Sequence, residues 1–535
     1  MNSHMDQLGS YFAHYAQEFR DHPMIKFKGE TFKYEDIYRH AQALATYFSN
    51  ELQMTPGARV GIMIPNTPQF TIIFLAAQLS GLVTVAINPL YTRREVKQIM
   101  EHADIRCIVV VDFKAHIVNE VVKELKNKPV IMTTKIGDLL SHAKSFMINV
   151  FLRFCKKQKA YHNQSFVSFR QVIKLYKHQQ ITCVRRLKKD VAMLQYTSGT
   201  TGKAKGVMLS HENILSNINQ VNVAFKKIGV VDGSKQLLVL PFFHIYGLSV
   251  FLNGIKHGLV GVLVPNPKDT NTTIRILSEE KPAVMPIINT LMVHLLEKSK
   301  FRSLDFSWLK VTITGGMATQ APVAHDWQKI TGCVVNQGYG LSETAPIVSI
   351  TTYQKKDRFL NHVGKPLAGT EVKFINHSGK RVRPGEAGEL CVRGPQVMHG
   401  YWRSIKETSK VLHNGWFRTG DIACLDKEGN IKIVDRIKDM IVVSGFNVYP
   451  SEVEKVLNQH TSVVESAVIG VRDKSDNECI KAFVVANGPT TGEALRSFCK
   501  KGLSGYKVPT AIVFVDEIPK SHVGKVLKRS LKEAV

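Results

Sequence analysis

A segment rich in glycine, serine and threonine follows an apolar run and strongly limits the fold of this chain. The segment is residues 196–206 (YTSGTTGKAKG), preceded by the apolar residues 191–194 and followed by a helical pattern that begins near Ser210. A strand, a glycine-rich loop and a helix in this order predict a phosphate-binding loop in an α/β fold, because glycines let backbone N–H groups approach phosphate oxygens. The expected hydroxyl and lysine donors of this loop are Thr197, Ser198, Thr200, Thr201 and either Lys203 or Lys205.

Two other interpretations of residues 196–206 are less favoured. No Gly-Lys-Ser/Thr sequence follows Gly199 at the spacing of a Walker loop, which disfavours a P-loop NTPase. Short glycine-rich strings are usually flexible surface loops, but a string this long and specific favours a binding loop.

Apolar, β-branched runs alternate with helical patterns in the first part of the chain. Residues 59–64 and 106–111 have the composition of buried strands, and residues 34–52 have a helical pattern. This alternation predicts mostly parallel, doubly wound sheets. Residues 70–89 are apolar for about the length of a membrane span, but they are better interpreted as a buried helix, a glycine turn at Gly81 and a buried strand.

The sequence pattern changes in the last third of the chain. After Gly388, short alternating strands and turns predict a β-rich subdomain with a hairpin turn at residues 427–430. Beyond Asp439, the order helix, strand, strand, helix and strand predicts a small α+β domain. The predicted fold class is therefore α/β, with a large N-terminal part and a small C-terminal domain.

Length and composition indicate a globular protein and argue against a disordered or fibrous one. A chain of 535 residues favours at least two domains, and 44% hydrophobic with 21% charged residues is ordinary for a globular protein. The eight cysteines include no C-x-x-C pair and the first residues lack a secretory pattern, so we expect reduced cysteines in a cytoplasmic protein. A net charge of +27 predicts anionic partners.

Seven further segments accompany the glycine-rich loop, and together they identify a family. They are residues 239–247 (VLPFFHIYG), 314–318 (TGGMA), 336–344 (NQGYGLSET), 388–402, 416–421 (WFRTGD), 435–450 and 519–527. In this order the chain resembles the adenylate-forming superfamily of acyl-CoA synthetases, luciferases and peptide-synthetase adenylation domains, from about residue 34 to its end. Residues 88–95 (NPLYTRRE) and 439–454 make bacterial long-chain fatty-acid–CoA ligases the closest resemblance.

The resemblance implies a domain arrangement and a set of small molecules. It implies an N-terminal domain at residues 1–435 that binds ATP and the acyl substrate, a hinge at 436–438, and a mobile C-terminal domain at 439–535. ATP, Mg²⁺ and coenzyme A (CoA) are the expected cofactors and substrates. Rotation of the small domain between two half-reactions is expected from the same resemblance.

The resemblance assigns catalytic roles by position. The expected catalytic residues are Lys525, Glu343, Thr197 and Lys205. Glu343 and Thr197 are the expected metal ligands, and a carboxylate oxygen is the kind of ligand that Mg²⁺ prefers. Lys525 is expected to reach the substrate carboxylate and the α-phosphate, where a preorganised cation stabilises the developing negative charge. Without the resemblance, Lys525 would be one lysine in a basic tail.

The resemblance also implies residues that bind ATP and CoA. Tyr339 would stack on the adenine, while Asp421 and Arg436 would contact the ribose. Lys438 is the expected hinge residue. Ordinary structural roles remain open, because Asp421 can cap a turn, Gly445 can serve a turn and His244 can be a core histidine. The expected binding set is Ser198, Gly199, Thr200, Thr201, Gly202, Gly315, Gly316, Gln337, Gly338, Tyr339, Gly340, Ser342, Asp421, Arg436, Lys438, Gly445 and His244.

The expected activity is ATP-dependent ligation of a long- or medium-chain fatty acid to CoA. The alternative is a fatty-acyl-AMP ligase that loads an acyl carrier protein, although no obstructing insertion is evident in the sequence. The expected partners are a fatty acid and CoA, without nucleic acid, and a homodimer is compatible with the sequence. Residues 146–189 combine an apolar run (FMINVFLRF) with many lysines and arginines and no acid, which predicts peripheral contact with the inner face of an anionic membrane. The alternative is a solvated basic face with a few core residues.

Overall fold

The computed structural model describes residues 5–154, 161, 163–197, 204–228, 230, 232–353, 357–383, 385–443, 446–472, 478–520 and 526–533. The chain divides into two compact units. The first unit comprises residues 1–360, 367–370 and 394–415, and the second comprises residues 361–366, 371–393 and 416–535.

The first unit contains two large sheets, and the strands on either side of residues 198–203 belong to the first of them. The middle of this first sheet is parallel, whereas the strands at the edge next to the glycine-rich segment pair antiparallel. In spatial order its strands are Gly400–Tyr401, Lys205–Ser210, Val191–Thr197, Val83–Ala86, Arg59–Met63, Ile105–Val111, Val130–Thr134 and Val167–Ser168.

The second sheet of the first unit is also mainly parallel. Its parallel centre carries the 314–318 and 336–344 segments at the ends of two neighbouring strands. In spatial order its strands are Ile347–Ile350, Val335–Gly340, Val311–Thr314, Val284–Ile287, Lys235–Leu238, Val260–Leu263, Pro23–Phe27 and Glu30–Lys33.

Helices cover the sheets of the first unit, as a doubly wound fold requires. They are Leu8–Glu18, Tyr34–Thr46, Pro68–Leu79, Arg93–Ala103, Ala115–Glu124, His142–Phe154, Phe169–Leu175, His211–Ile228, Ile245–Ile255, Thr270–Glu280, Asn289–Leu296, Ser299–Arg302, Ala321–Thr331 and Ile405–Val411.

The long apolar run at residues 70–89 folds as predicted. All residues of the helix Pro68–Leu79 are buried, Gly81 adopts a φ of +67°, and the strand Val83–Ala86 is buried on both faces. A helix that is apolar on all sides is stable in a protein core, where other strands and helices surround it. Within the described residues, no helix is both long and apolar enough to span a membrane.

The prediction of strand, loop and helix around residues 196–206 is wrong in one respect. The strand Val191–Thr197 is followed by a second, antiparallel strand at Lys205–Ser210, and only then by the helix His211–Ile228. The second strand forms because it has neighbours on both sides, with Gly400–Tyr401 paired to its outer edge. We call Val191–Thr197 and Lys205–Ser210 the phosphate hairpin.

The second unit combines the β-rich segment with the C-terminal α+β part. Its first sheet has the strands Glu371–Ile375, Gly388–Arg393, Trp416–Leu425 and Ile431–Arg436. The predicted hairpin turn is confirmed, because Asn430 N–H donates to Asp426 Oδ1 over 2.8 Å and Gly429 has a φ of +81°.

The C-terminal part of the second unit has the predicted order of elements. A small pair, Ile441–Val443 and Phe446–Val448, precedes the helix Pro450–Leu457. A three-stranded sheet and two helices then complete the unit, with strands Val463–Arg472, Glu478–Ala486 and Ala511–Phe514 and helices Gly492–Gly502 and Lys528–Glu533. The α/β fold class is confirmed, while the boundaries 1–435, 436–438 and 439–535 stay a prediction.

Candidate active site

The phosphate hairpin places two predicted residues opposite each other. Thr197 and Lys205 are register partners at the end of the hairpin nearest to residues 198–203. Gly206 is a tight position, because a Cβ there would lie 3.1 Å from the ring of Tyr196. The predicted ligands Ser198, Gly199, Thr200, Thr201 and Gly202, together with Lys203, lie outside the described residues.

The ammonium group of Lys205 is held by an acid that the sequence analysis did not identify. Lys205 Nζ lies 2.5 Å from Glu407 Oε2 and 5.0 Å from the centre of the Tyr401 ring. Hydrogen bonds from Lys205 and Lys410 lower the pKa of Glu407 to about 2. Glu407 is thus a carboxylate at neutral pH, and the side chain of Lys205 is fixed against it.

Glu343 is oriented by a buried tyrosine. It lies in the short 3₁₀ turn Ser342–Thr344, where the Glu343 carbonyl accepts a hydrogen bond from Met398 N–H over 2.8 Å. The phenol of Tyr401 donates to Glu343 Oε1 over 2.8 Å. Burial and the neighbouring Glu343 charge raise the pKa of Tyr401, so the phenol keeps its proton. Sequence reasoning missed Tyr401, although it lies within the matched segment 388–402.

The glycines of the second sheet lie together where neighbouring strands end. Val311–Thr314 and Val335–Gly340 are parallel, so Gly315 and Gly338 meet at one edge of the sheet. A Cβ on Gly315 would lie 3.1 Å from the carbonyl oxygen of Gly338, and one on Gly340 would lie 1.9 Å from the carbonyl oxygen of Pro346. These glycines let neighbouring backbone segments approach each other closely at the edge where α/β sheets usually bind ligands.

The other predicted residues of these strands lie at the same edge. Gly316 follows Gly315 with a φ of +79°, and Tyr339 is half-buried at the end of its strand. Ser342 is buried. Gln337 has defined partners, since its N–H donates to Thr351 Oγ1 over 2.8 Å and its amide donates to the Leu360 carbonyl over 3.3 Å.

His244 begins a helix beside this edge. Its Nδ1 accepts a hydrogen bond from Tyr246 N–H over 3.2 Å at the start of the helix Ile245–Ile255. Tyr246, which sequence reasoning did not identify, donates from its phenol to the Ile313 carbonyl over 3.3 Å. Its ring also lies 3.3 Å from the position that a Cβ on Gly315 would take. The 239–247 and 314–318 segments are therefore in contact.

In the second unit, the two predicted ribose ligands contact each other. Asp421 and Arg436 are register partners on antiparallel strands, and Arg436 Nε lies 2.9 Å from Asp421 Oδ1. The Asp421 side chain is buried, and that of Arg436 is partly exposed. Lys438 is exposed in the 3₁₀ turn Ile437–Asp439. Gly445 and Lys525 lie outside the described residues.

Comparison with known proteins assigns this chain to a family. The model of the AMP-binding enzyme family matches residues 12–402, and the model of the AMP-binding enzyme C-terminal domain matches residues 452–525. The chain belongs to the AMP-binding enzyme family. The predicted resemblance to adenylate-forming enzymes is confirmed.

Three relatives of similar length carry the same name, long-chain-fatty-acid–CoA ligase. The protein from Escherichia coli O157:H7 is 40% identical over 98% of this chain and 94% of its own length. The protein from Haemophilus influenzae is 38% identical over 97% of this chain and 93% of its own length. The protein from Bacillus subtilis strain 168 is 35% identical over 98% of this chain and 94% of its own length.

Solved structures share the fold at lower identity. The anthranilate CoA ligase AuaEII in complex with anthranoyl-AMP has a TM-score of 0.86 and 22% identity, covering 99% of this chain and 97% of that one. ATP-bound MatB from Rhodopseudomonas palustris has a TM-score of 0.83 and 24% identity, covering 97% of this chain and 98% of that one. At these identities the likeness establishes the fold.

Proposed function

We propose that this chain is an ATP-dependent fatty-acyl-CoA ligase. The observation that carries the proposal is 40% identity to a long-chain-fatty-acid–CoA ligase over 98% of this chain and 94% of the relative. In the first half-reaction, a fatty-acid carboxylate attacks the α-phosphorus of ATP, and pyrophosphate leaves. In the second, the CoA thiol attacks the acyl carbon of the acyl-adenylate, and AMP leaves.

We propose that Glu343 and Thr197 bind a nucleotide-borne Mg²⁺. Among the described residues, no group of three or more His, Cys, Asp or Glu could hold a metal. Mg²⁺ nevertheless fits this site, because it is commonly bound by one or two carboxylates together with substrate phosphates and waters. When bound, it neutralises phosphate charge. Glu343 suits this role because Tyr401 engages one carboxylate oxygen and thereby orients the other.

The remaining predicted residues divide between ATP, CoA, the acyl chain and the hinge. We propose that the loop of the phosphate hairpin and Lys205 bind the triphosphate, that Tyr339 stacks on adenine, and that Asp421 and Arg436 bind the ribose. Lys525 stabilises the charge at the α-phosphorus. Lys438 is the hinge residue, Gly445 lets the pantetheine chain approach the backbone, and His244 gates a tunnel for the acyl chain or the thiol.

The apolar surroundings of His244 and residues 287–290 favour a fatty acid over an amino acid. Leu240, Ile287 and Leu291 belong to one buried cluster, with Ile288 packed against it. An amino-acid substrate would need a partner for its ammonium group, because an unpaired buried charge is strongly unfavourable. No Asp or Glu occurs at residues 287–291.

An exchange assay tests the proposal. The full-length enzyme, ATP, Mg²⁺ and labelled pyrophosphate are incubated with a panel of fatty acids of increasing chain length. We expect label to enter ATP only when a fatty acid is present. If none of the fatty acids in the panel supports exchange, the proposal is contradicted. The alternative activity, loading of an acyl carrier protein, predicts exchange but no thioester with CoA.

We further propose peripheral contact with the cytoplasmic face of an anionic membrane through the helix His142–Phe154. Four apolar side chains of this helix are exposed at spacings that place them on one face: Phe146 (71%), Met147 (58%), Val150 (37%) and Phe151 (50%). An apolar face with adjacent basic residues is typical of interfacial helices, and each lysine or arginine near an anionic surface contributes about 1 kcal/mol. A lipid substrate that partitions into the bilayer is consistent with this placement.

The fold pairs three basic residues in or next to the stretch 146–189 with acids that lie outside it. Lys144 Nζ lies 3.1 Å from Glu30 Oε1, and Arg186 Nε lies 3.1 Å from Asp190 Oδ2. Lys188 Nζ lies 3.2 Å from Glu212 Oε1. The lysines of the KKQK sequence, Lys156, Lys157 and Lys159, lie outside the described residues. The surface available to a membrane is therefore less basic than the sequence alone predicts.

Vesicle sedimentation tests the membrane proposal. Wild-type enzyme should bind vesicles that contain phosphatidylglycerol, and binding should weaken with salt and in the Phe146→Ser/Phe151→Ser double variant. Equal binding by wild type and variant would contradict it. Leu360→Ser, a change at another exposed apolar residue, is the control. A homodimer also stays a proposal, which light scattering after size-exclusion chromatography tests.

A further inference from the structure

Tyr401 connects the phosphate hairpin to Glu343. Its backbone pairs with Val207 of the hairpin, and Gly400 pairs with Met208. The backbone N–H of the next residue, Trp402, donates a hydrogen bond to the Gly206 carbonyl over 2.7 Å. From this fixed backbone, the Tyr401 phenol reaches Glu343 Oε1 over 2.8 Å. One side chain thus spans two parts of the candidate site that are far apart in sequence.

The ring of Tyr401 is itself held on several sides. The residue is 6% exposed, and its N–H donates to Thr408 Oγ1 over 2.9 Å. Lys205 Nζ lies 5.0 Å from the ring centre and is kept there by Glu407. A side chain with these contacts has little freedom, so the position of its phenol is set by the hairpin and by the helix Ile405–Val411.

A carboxylate with one oxygen fixed by a donor has a defined orientation. The Tyr401 phenol engages Oε1 of Glu343, and among the described residues no side chain donates to Oε2. Groups that hydrogen-bond a metal ligand orient it and raise its affinity, and their loss typically reduces metal affinity 10- to 100-fold. The arrangement is that of a ligand oriented before the cation arrives.

We propose that Tyr401 is a positioning residue, which holds the Glu343 carboxylate at a fixed position relative to the phosphate hairpin. A nucleotide-borne Mg²⁺ then meets a ligand that is already oriented. This inference rests on the proposed function. It adds a residue that acts through Glu343 and that does not contact the reacting atoms. The phenol contributes orientation, whereas the carboxylate contributes the charge.

Calorimetric binding tests this inference without turnover. The probe is the α,β-methylene analogue of ATP, which cannot release pyrophosphate, titrated into full-length enzyme with Mg²⁺ and with EDTA. For Tyr401→Phe we expect the gain in affinity due to Mg²⁺ to fall about 10-fold, while affinity in EDTA is unchanged. The control is Tyr11→Phe, which removes another buried phenol, one that donates to the Leu252 carbonyl over 3.1 Å.

A double-variant cycle distinguishes positioning from general destabilisation. In the Glu343→Gln background, Tyr401→Phe should have no further effect on the Mg²⁺-dependent gain, because the ligand that it orients is gone. If Tyr401→Phe does not accumulate as folded protein, Tyr401→Met supplies similar apolar volume without a phenol. An unchanged Mg²⁺-dependent gain, or equal effects in both Glu343 backgrounds, would overturn the inference. The proposed function fails separately, if wild type shows no fatty-acid-dependent exchange.

Discussion

Arg436 Nε lies 2.9 Å from Asp421 Oδ1, across two antiparallel strands of the second unit. The contact fixes the orientation of a buried carboxylate with an arginine that is itself partly exposed. A carboxylate held in this way can accept hydrogen bonds from vicinal hydroxyls, which is what recognition of a ribose requires.

We therefore predict that Asp421 discriminates ATP from 2′-deoxy-ATP. Wild type should prefer ATP by about 10-fold or more in kcat/KM, because a hydrogen bond to a charged group contributes about 1.5–3 kcal/mol. In Asp421→Asn this preference should shrink to about 3-fold or less. Glu428→Gln, at an exposed acid in the neighbouring turn, is the control. An undiminished preference in Asp421→Asn would assign the residue a structural role only.

Lys525 should matter for one half-reaction only. We predict that Lys525→Ala reduces fatty-acid-dependent pyrophosphate exchange by at least about 100-fold, because loss of a preorganised cation at developing charge costs about 3 kcal/mol or more. Thioester formation from supplied acyl-AMP and CoA should change less than about 3-fold. Lys532→Ala, an exposed lysine of the helix Lys528–Glu533, is the control. Equal losses in both half-reactions would contradict the assignment.

Lys438 should govern the change between half-reactions. The residue is exposed in the turn Ile437–Asp439, so Lys438→Ala should leave thermal stability within about 1 °C of wild type. Lys438→Pro fixes φ and should slow one half-reaction at least about 10-fold while sparing the other. Rapid-quench measurement of each step separates them. A proline variant with two unaffected half-reactions would place the hinge at another residue.

His211 should make the first unit less stable in acid. Burial, followed by the charge of Arg186, lowers the pKa of this histidine from 6.5 to about 4. Its Nδ1 accepts a hydrogen bond from Leu8 N–H over 3.2 Å and therefore needs to be neutral. Between about pH 6.5 and 4 the unfolded chain binds a proton that the folded chain does not, so stability falls as pH falls, by about 1.4 kcal/mol per pH unit.

Calorimetric unfolding at pH 7.5, 6 and 5 tests this sign. We expect His211→Gln to show a shallower loss of stability between pH 6 and pH 5 than wild type, whatever its absolute stability. His178→Gln, at an exposed histidine, should retain the wild-type slope. Equal slopes in all three proteins would contradict the role of His211. His40, whose pKa burial also lowers to about 4, contributes in the same direction in every variant.

The elements predicted well from sequence are those set by local pattern. The helix Pro68–Leu79, the turn at Gly81 and the strand Val83–Ala86 follow from an uncharged apolar run in which β-branched residues concentrate after a glycine. The strand Lys205–Ser210 was missed because a strand is defined by its pairing partners, and one of its two partners, Gly400–Tyr401, is almost 200 residues away in the sequence. Local pattern carries no information on that pairing.

The candidate site shows the same limit at the level of side chains. Glu343 was predicted through its motif, but the donor that orients it, Tyr401, is 58 positions away. Lys205 was predicted as a phosphate ligand, while its ion-pair partner Glu407 is 202 positions away. Motifs identify residues that contact substrates. The residues that hold them in place become visible only when the chain is folded.

Product analysis with both acyl acceptors tests most directly whether this chain ligates fatty acids to CoA. Full-length enzyme is supplied with ATP, Mg²⁺, a fatty acid that supports exchange, and either CoA or a phosphopantetheinylated acyl carrier protein. We predict that acyl-CoA and AMP form in equal amounts, and that the carrier protein remains unloaded. Acyl-adenylate that accumulates in the presence of CoA, with the acyl group appearing on the carrier protein instead, would contradict it.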